Sequence, residues 1–178
     1  MALVVEDGTG VVGANSYVAV ADATTYHADR GNAAWAASTS PLQSAALSRA
    51  SAAIDGIYGG RWPGTRGRTD TSGLSWPLAG PQQGLDWPRA YAWDRDGYPL
   101  TGVPTEVKNA TCEAALVELD SPGALSKKGE AGLKSLTVGP ISKTYAGASA
   151  AGAMAYPAIR QALARIIKGG GNIAIGGR

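Results

Sequence analysis

The chain has 178 residues, enough for one domain with a core, but Leu, Ile, Val and Phe together number 31 against 33 alanines, so that core is thin and built from small side chains. A formal net charge of +2 excludes the high-charge composition of a disordered chain. Charged residues make up 17% of the sequence, against roughly 25% in ordinary soluble domains, which predicts a surface partly covered by neighbouring subunits.

In chain order, Leu3-Val4-Val5 and Tyr17-Val18-Ala19-Val20 read as short extended pieces, the second leading into a helix over about Asp22 to Arg30 with Gly31 as its stop. The clearest helix comes next. Ser40 as N-cap, Pro41 at the first helical position and Gln43 at the third form a capping-box pattern. Leu42, Ala46, Leu47, Ala50, Ile54, Ile57 and Tyr58 then recur at helical spacing as far as Gly59-Gly60. Residues 59–103 hold Trp62-Pro63, Trp76-Pro77, Trp87-Pro88 and the turn dipeptide Asp96-Gly97, so a loop-rich insertion with a hairpin around Asp94 to Pro99 is predicted.

A third helix starts at Pro104 and runs to about Asp120. It buries Val107, Ala110, Ala114 and Val117 or Leu116, and turns Glu106, Lys108, Glu113 and Glu118 to solvent. Leu133 to Val138 and Ile141 to Tyr145 flank Gly139-Pro140 as two short strands or extended arms, and Ala146 to Ala155 is rich in Ala, Gly and Ser. A last helix over Pro157 to Lys168 carries Ile159, Leu163, Ile166 and Ile167 on one side and is closed by Gly169-Gly170-Gly171. The fold class is mainly α: a small helical-bundle core over 1–145 with a long irregular loop at 59–103, short β or extended pieces, and a C-terminal arm over 146–178 made of linker, helix and tail.

The residues offer little for catalysis. His27 is the only histidine and Cys112 the only cysteine, which excludes an intrachain disulfide, a cysteine-cluster metal site and any site built on two imidazoles. No nucleophile elbow is present, so no catalytic residue, cofactor or metal is expected; His27 reads as structural or surface and Cys112 as a buried small hydrophobe. Gly8-Thr9-Gly10-Val11-Val12-Gly13 matches a dinucleotide fingerprint, but Ala14-Asn15-Ser16-Tyr17 does not open a helix, so a flexible turn is expected there. Asp94-Arg95-Asp96-Gly97 lacks the spacing and closing Glu of a calcium loop and reads as a β-turn. No stretch approaches 18 apolar residues, and Met1 to Glu6 lacks the features of a signal peptide; a soluble, unexported protein in a reducing compartment, without a membrane partner, is expected.

Two segments invite partners. Arg61, Trp62, Arg66, Arg68, Trp76, Trp87, Arg89, Trp93 and Arg95 resemble the aromatic and basic mixture of a single-strand groove, but from Gly59 to Tyr98 the arginines are nearly balanced by Asp70, Asp86, Asp94 and Asp96. An interface loop with tryptophan anchors is the favoured expectation. The second segment is the C-terminus: all 14 acidic residues lie at or before Glu130, while Lys134, Lys143, Arg160, Arg165, Lys168 and Arg178 follow with no acid among them. Such asymmetry marks a segment that meets a negative partner.

The chain also resembles a known family. Met1 to Gly10, Ala14-Asn15-Ser16-Tyr17-Val18, Tyr26 to Asn32, Ala46-Leu47 with Ala53-Ile54-Asp55, Leu74-Ser75-Trp76-Pro77, Asp94 to Gly97, Val103-Pro104 with Val107-Lys108, and Val138 to Ser142 carry the resemblance, in order, over about three-quarters of the sequence. They resemble the neck or head–tail connector (adaptor, head-completion) proteins of tailed phages, some of which are described as DnaT-like single-stranded DNA-binding proteins. The resemblance implies a structural virion protein located in the neck, and in the host cytoplasm during assembly. It further implies a homo-oligomeric, dodecameric ring beneath the portal, a C-terminal extension reaching into the portal, contact with the next neck or tail component, and double-stranded DNA passing through the channel. The alternative it leaves open is a single-stranded DNA-binding replication protein.

On this reading Ile159, Arg160, Leu163, Arg165, Ile166, Lys168, Ile173, Ile175 and Arg178 form a portal-binding arm that orders on assembly, since a short isolated helix is unstable in water. Truncation after Tyr156 is then expected to leave the core folded. The competing expectation is a helix packed on its own domain with a frayed tail.

Overall fold

The computed structural model describes residues 2–67, 83–126, 135–138, 141–144 and 156–168. It is mainly helical, in the element order α1 (Val20–Ala28), α2 (Ala33–Ala36), α3 (Ser40–Tyr58), a 3-10 turn (Gly59–Arg61), β1 (Thr65–Arg66), β2 (Arg89–Ala90), α4 (Thr105–Asp120), β3 (Ser135–Val138), β4 (Ile141–Thr144) and α5 (Pro157–Leu163).

The first helix stops where the sequence says it must. Gly31 sits at φ +67, and the N–H groups of Gly31 and Asn32 donate to the carbonyls of Ala28 and His27 at 3.0 Å each. That pair of bonds is a Schellman closure, and its left-handed position favours glycine. The chain reverses into the single turn of α2, which sets the fully buried Trp35 against His27 with ring centroids 4.5 Å apart.

α3 and α4 form the principal helix pair. α3 buries Ala46, Leu47, Ala50, Ala53 and Ile54; α4 answers with Val107, Ala110, Thr111, Cys112, Ala114 and Ala115. The shortage of large apolar side chains is thus met by stripes of small ones, which let the helix backbones approach closely. Ser51 and Thr111 lie in this seam without cost, because each hydroxyl donates to the carbonyl four residues back, Leu47 and Val107, at 3.0 and 2.8 Å.

Four expectations are corrected. The N-cap of α3 is Thr39, with no side-chain cap bond, and no capping box forms. Gln43 is instead buried and donates its amide to the Trp35 carbonyl at 2.9 Å, because α2 lies over the start of α3 and presents an acceptor there. Glu118 is fully buried and not solvated: its carboxylate accepts the N–H groups of Gly123 and Leu125 at 2.6 and 3.0 Å and the Arg49 Nε at 2.9 Å, closing the C-terminus of α4 against α3.

The glycine-rich turn is pinned and not flexible. The Glu6 carboxylate, 1% exposed, accepts the N–H groups of Gly8, Gly10 and Val11 at 2.8, 2.9 and 2.7 Å. The backbone cradle that a dinucleotide phosphate would need is filled by the chain's own anion. Finally, α5 is part of the bundle: it packs on α4 with Ile159, Leu163 and the following Ile166 buried. The helix ends at Leu163, and 164–168 continue as turns.

Among the described residues two antiparallel strand pairs form, β1 with β2 and β3 with β4, the latter in a register that pairs Val138 with Ile141. Leu3-Val4-Val5 is extended, and Val5 forms a single parallel bridge with Ser16.

Candidate interaction surface

Residues 90–100 make a tight hairpin whose geometry follows from Asp94. Its Oδ1 accepts the N–H groups of Asp96 and Tyr98 at 2.9 and 2.8 Å, its own N–H donates to the Tyr98 carbonyl at 2.9 Å, and Trp93 bridges Pro99. These N–H donors, Tyr98 first, together with the Arg165 guanidinium, hold the Asp94 carboxyl below the usual carboxylate range. Ala90 and Ala92 point inward, so the intervening and following aromatics point out. Tyr91, Trp93 and Tyr98 are 49%, 50% and 67% exposed, and the Tyr91 and Trp93 rings lie 6.5 Å apart. Tyr91 takes a left-handed backbone at φ +54, which an aromatic residue rarely adopts.

The segment after α5 is joined to this hairpin. The Arg165 carbonyl accepts the Arg95 N–H at 3.0 Å, and its guanidinium lies 3.2 Å from Asp94 and 3.6 Å from Asp96. Three residues on, the Lys168 N–H donates to the Arg61 carbonyl at 2.9 Å, and the Arg61 Nε donates back to the Lys168 carbonyl at 3.3 Å. Arg61 also sits over the Tyr58 ring, centroid to guanidinium 5.9 Å. Burial pushes the Tyr58 hydroxyl above its ordinary pKa, and the positive charges of Arg61 and Arg160 oppose the shift. The segment after α5 is therefore bonded both to the aromatic hairpin, through Arg165, and to the turn after α3, through Lys168. At the junction Arg165 pairs with Asp94 and Asp96, and Arg95 lies 3.9 Å from Asp96.

The structure redistributes the residues singled out from sequence. Arg61 of the loop is brought to Lys168, and the hairpin that carries Trp93 to Arg165. Trp62 and Trp87 are corrected from interface anchors to core residues: they are 2% and 0% exposed and pack edge-to-face at 5.8 Å, since their Trp-Pro corners fold back over the end of α3. Arg89 and Arg66 are structural: Arg89 donates to the carbonyls of Pro63 and Gly64, and Arg66 to those of Gln83 and Leu85 while pairing with Asp86.

Ile159, Leu163 and Ile166 are corrected from portal contacts to core, because their apolar side chains are buried against α4 within the same chain. Arg68, Trp76, Ile173, Ile175 and Arg178 lie outside the described residues. Sequence reading missed Tyr91 and Tyr98. The signal for Tyr91 was the alternation around Ala90 and Ala92, which leaves every second side chain facing out; Tyr98, past the turn, had no such signal.

The buried titratable groups are committed to structure. His27, 1% exposed, accepts from the Asn32 amide at Nδ1 (2.9 Å), and burial lowers its pKa. The Cys112 thiol is pushed up to about 12 by burial. Tyr17 donates to Asp55 at 2.6 Å, and burial raises Asp55 to about 6. Among the described residues no group of three or more His, Cys, Asp or Glu is placed to hold a metal ion, and no helix is long and apolar enough to cross a membrane.

No curated protein and no solved structure matches the chain. A family model does, over residues 1–81 and again over 78–176, nearly the whole length, and on that match the chain belongs to the family described as "Putative DnaT-like ssDNA binding protein".

Proposed function

We propose that this protein is a structural subunit of a phage head–tail connector, a ring-forming adaptor that joins portal to tail through contact and not chemistry. The observation that supports the reading is the face built by Tyr91, Trp93 and Tyr98 with Arg61, Arg95 and Arg165: three large aromatics half-exposed or more, on a backbone locked by hydrogen bonds. Rigid exposed aromatics with arginines are the usual composition of protein–protein hot spots. The resemblance of the sequence to neck proteins supplies the partners, the portal on one side and the next neck or tail component on the other. Purified protein mixed with a cognate portal is expected to form a ring on it by negative-stain microscopy, and Trp93→Ala with Tyr98→Ala is expected to abolish the ring without unfolding the chain.

A second reading, single-stranded DNA binding, is favoured by the same aromatics, since bases stack on exposed Tyr and Trp beside cations, and by the description of the family. It differs in its salt response. A single-strand binder loses oligonucleotide affinity as salt rises, with a logarithmic slope of about −0.7 per phosphate neutralised, whereas a connector leaves fluorescent oligonucleotides free.

A further inference from the structure

We infer that His27 is an acid-operated latch: while its imidazole is neutral it holds α2 and Trp35 on the bundle, and its protonation releases them and uncovers the adjoining side of α4. His27 is the only histidine of the chain and is 1% exposed. α2 is a single turn of four residues, too short to persist in water without support. Much of that support is His27. The Trp35 ring lies 4.5 Å from the imidazole, tilted by 33°, and Asn32, the residue before α2, donates its amide to Nδ1 at 2.9 Å. Two further bonds hold Trp35, its Nε1 donating to Thr24 at 3.1 Å and its carbonyl accepting from Gln43 at 2.9 Å.

The site has no place for a charge. Nδ1 accepts, so the proton of the neutral ring is on Nε2, which is buried without a hydrogen-bond partner and faced by the Cys112 backbone of α4. Protonation makes Nδ1 a second donor, set against the Asn32 amide. Turning that amide over gives Nδ1 an acceptor but leaves the charge and Nε2 buried. The neighbouring groups do not compensate. On α4, Glu113 already accepts from the Tyr26 hydroxyl at 2.8 Å and lies 4.0 Å from Arg30, and burial keeps the Cys112 thiol neutral. Arg30, just past α1, is itself a cation, and Asp22 and Asp29 are exposed. α2 has no ionisable residue; on α3, Arg49 is paired with Glu118, Asp55 accepts from Tyr17, and Tyr58 lies beneath Arg61. Burial, the largest influence, lowers the His27 pKa, against the opposing pull of Glu113 and the Cys112 backbone. A group lowered in this way gives stability that is present above the unfolded imidazole pKa of about 6.5 and is lost as pH falls below it.

The release changes a surface. Asn32, Ala33 and Ala34 form one wall of a 590 Å³ groove whose other wall is Leu116, Leu119 and Asp120 of α4. Departure of α2 removes the first wall and opens the second to water. Cys112 lies one turn before Leu116 on the same side of α4 and is 2% exposed while the latch is closed, so its reactivity reports the opening.

Hydrogen exchange of the full-length protein, compared at about pH 7.5 and about pH 5, spans the range in which imidazoles titrate. Rates are corrected for the intrinsic pH dependence of amide exchange. The N–H groups of Trp35, Ala37 and Ser38, which bond to the carbonyls of Asn32, Ala33 and Trp35, are expected to lose protection by about tenfold or more at the lower pH, while Ala46 to Ile54 of α3 keep theirs. Labelling of Cys112, the only cysteine, by 4,4′-dithiodipyridine is expected to rise in parallel when scaled to a free thiol. His27→Phe and His27→Gln, neutral at both pH values, are expected to remove both changes. Protection at Trp35 that does not respond to pH, that responds equally in a folded His27 variant, or that is lost together with α3 would overturn the latch. Where neither variant folds, the single imidazole signal of the natural protein decides by NMR: a titration midpoint that coincides with the loss of α2 protection supports the latch, and a separate midpoint overturns it.

Discussion

Arg165 and Asp94 lie 71 positions apart in sequence and meet at 3.2 Å, and one residue from that pair the Arg95 N–H donates to the Arg165 carbonyl at 3.0 Å. This junction makes one surface out of two segments that the sequence presents separately. It fixes the aromatic hairpin relative to α5, so that Trp93 and Tyr98 are held on a rigid mount. Pre-organisation of this kind lowers the ordering cost of binding.

The aromatic residues of the loop should separate into two classes. Trp87→Ala, which empties a site with no solvent exposure, is expected to cost about 3–5 kcal/mol in urea unfolding. Trp93→Ala and Tyr98→Ala are expected to change stability by no more than about 0.5 kcal/mol while weakening assembly. Equal destabilisation by all three would place Trp93 and Tyr98 in the core's service after all.

Removal of the last helix should not be silent. Ile159→Ala and Leu163→Ala are each expected to cost about 2–5 kcal/mol, and deletion of 157–178 to leave the chain largely unfolded, given total stabilities of about 5–15 kcal/mol for domains. A truncated chain ending at Tyr156 that melts with the cooperativity of the full protein would contradict the packing of α5 on α4.

Much of this fold was legible. The spacing of Ala46, Leu47, Ala50 and Ile54, and the Pro104 start of α4, dictate helices whatever surrounds them. What the sequence hides is destination. Trp62, Trp87 and Trp93 each have an Arg within two residues, and only the folding of 62–67 against 87–90 decides which rings go inside. Glu118 looks like a surface acid by helical phase; it is buried because the two N–H groups past the end of α4 need an acceptor. The candidate surface was visible in halves, the loop and the C-terminal segment, without the Arg165–Asp94 contact that joins them.

Asp55 should give stability a pH dependence of unusual sign. Burial in the Tyr17–Asp55 cluster raises its pKa to about 6, so the folded state holds a proton that the unfolded state releases. Stability from this group is then greatest at low pH and falls as pH rises from about 4 to about 6, by about 3 kcal/mol. Asp55→Asn is expected to flatten that window in pH-dependent urea titrations; an unchanged slope would contradict the assignment.

Glu118 works in the opposite direction. Burial alone would raise its pKa, but the N–H groups of Gly123 and Leu125 and the Arg49 guanidinium together hold it below its ordinary value. Its contribution is present above the unfolded pKa and is lost as pH falls through the folded one. Glu118→Ala, which leaves two backbone N–H groups without their acceptor, is expected to cost about 1–3 kcal/mol at neutral pH.

The central claim is that this chain works by assembling through its aromatic–basic face. The most direct test is mass photometry of the purified protein with a cognate portal, run beside the Trp93→Ala, Tyr98→Ala double variant and a fluorescent single-stranded oligonucleotide. The account predicts a discrete portal-plus-ring mass for the natural sequence, loss of that mass for the double variant, and no oligonucleotide shift. A chain that stays monomeric beside portal, yet binds the oligonucleotide with an affinity that falls as salt rises, would contradict it.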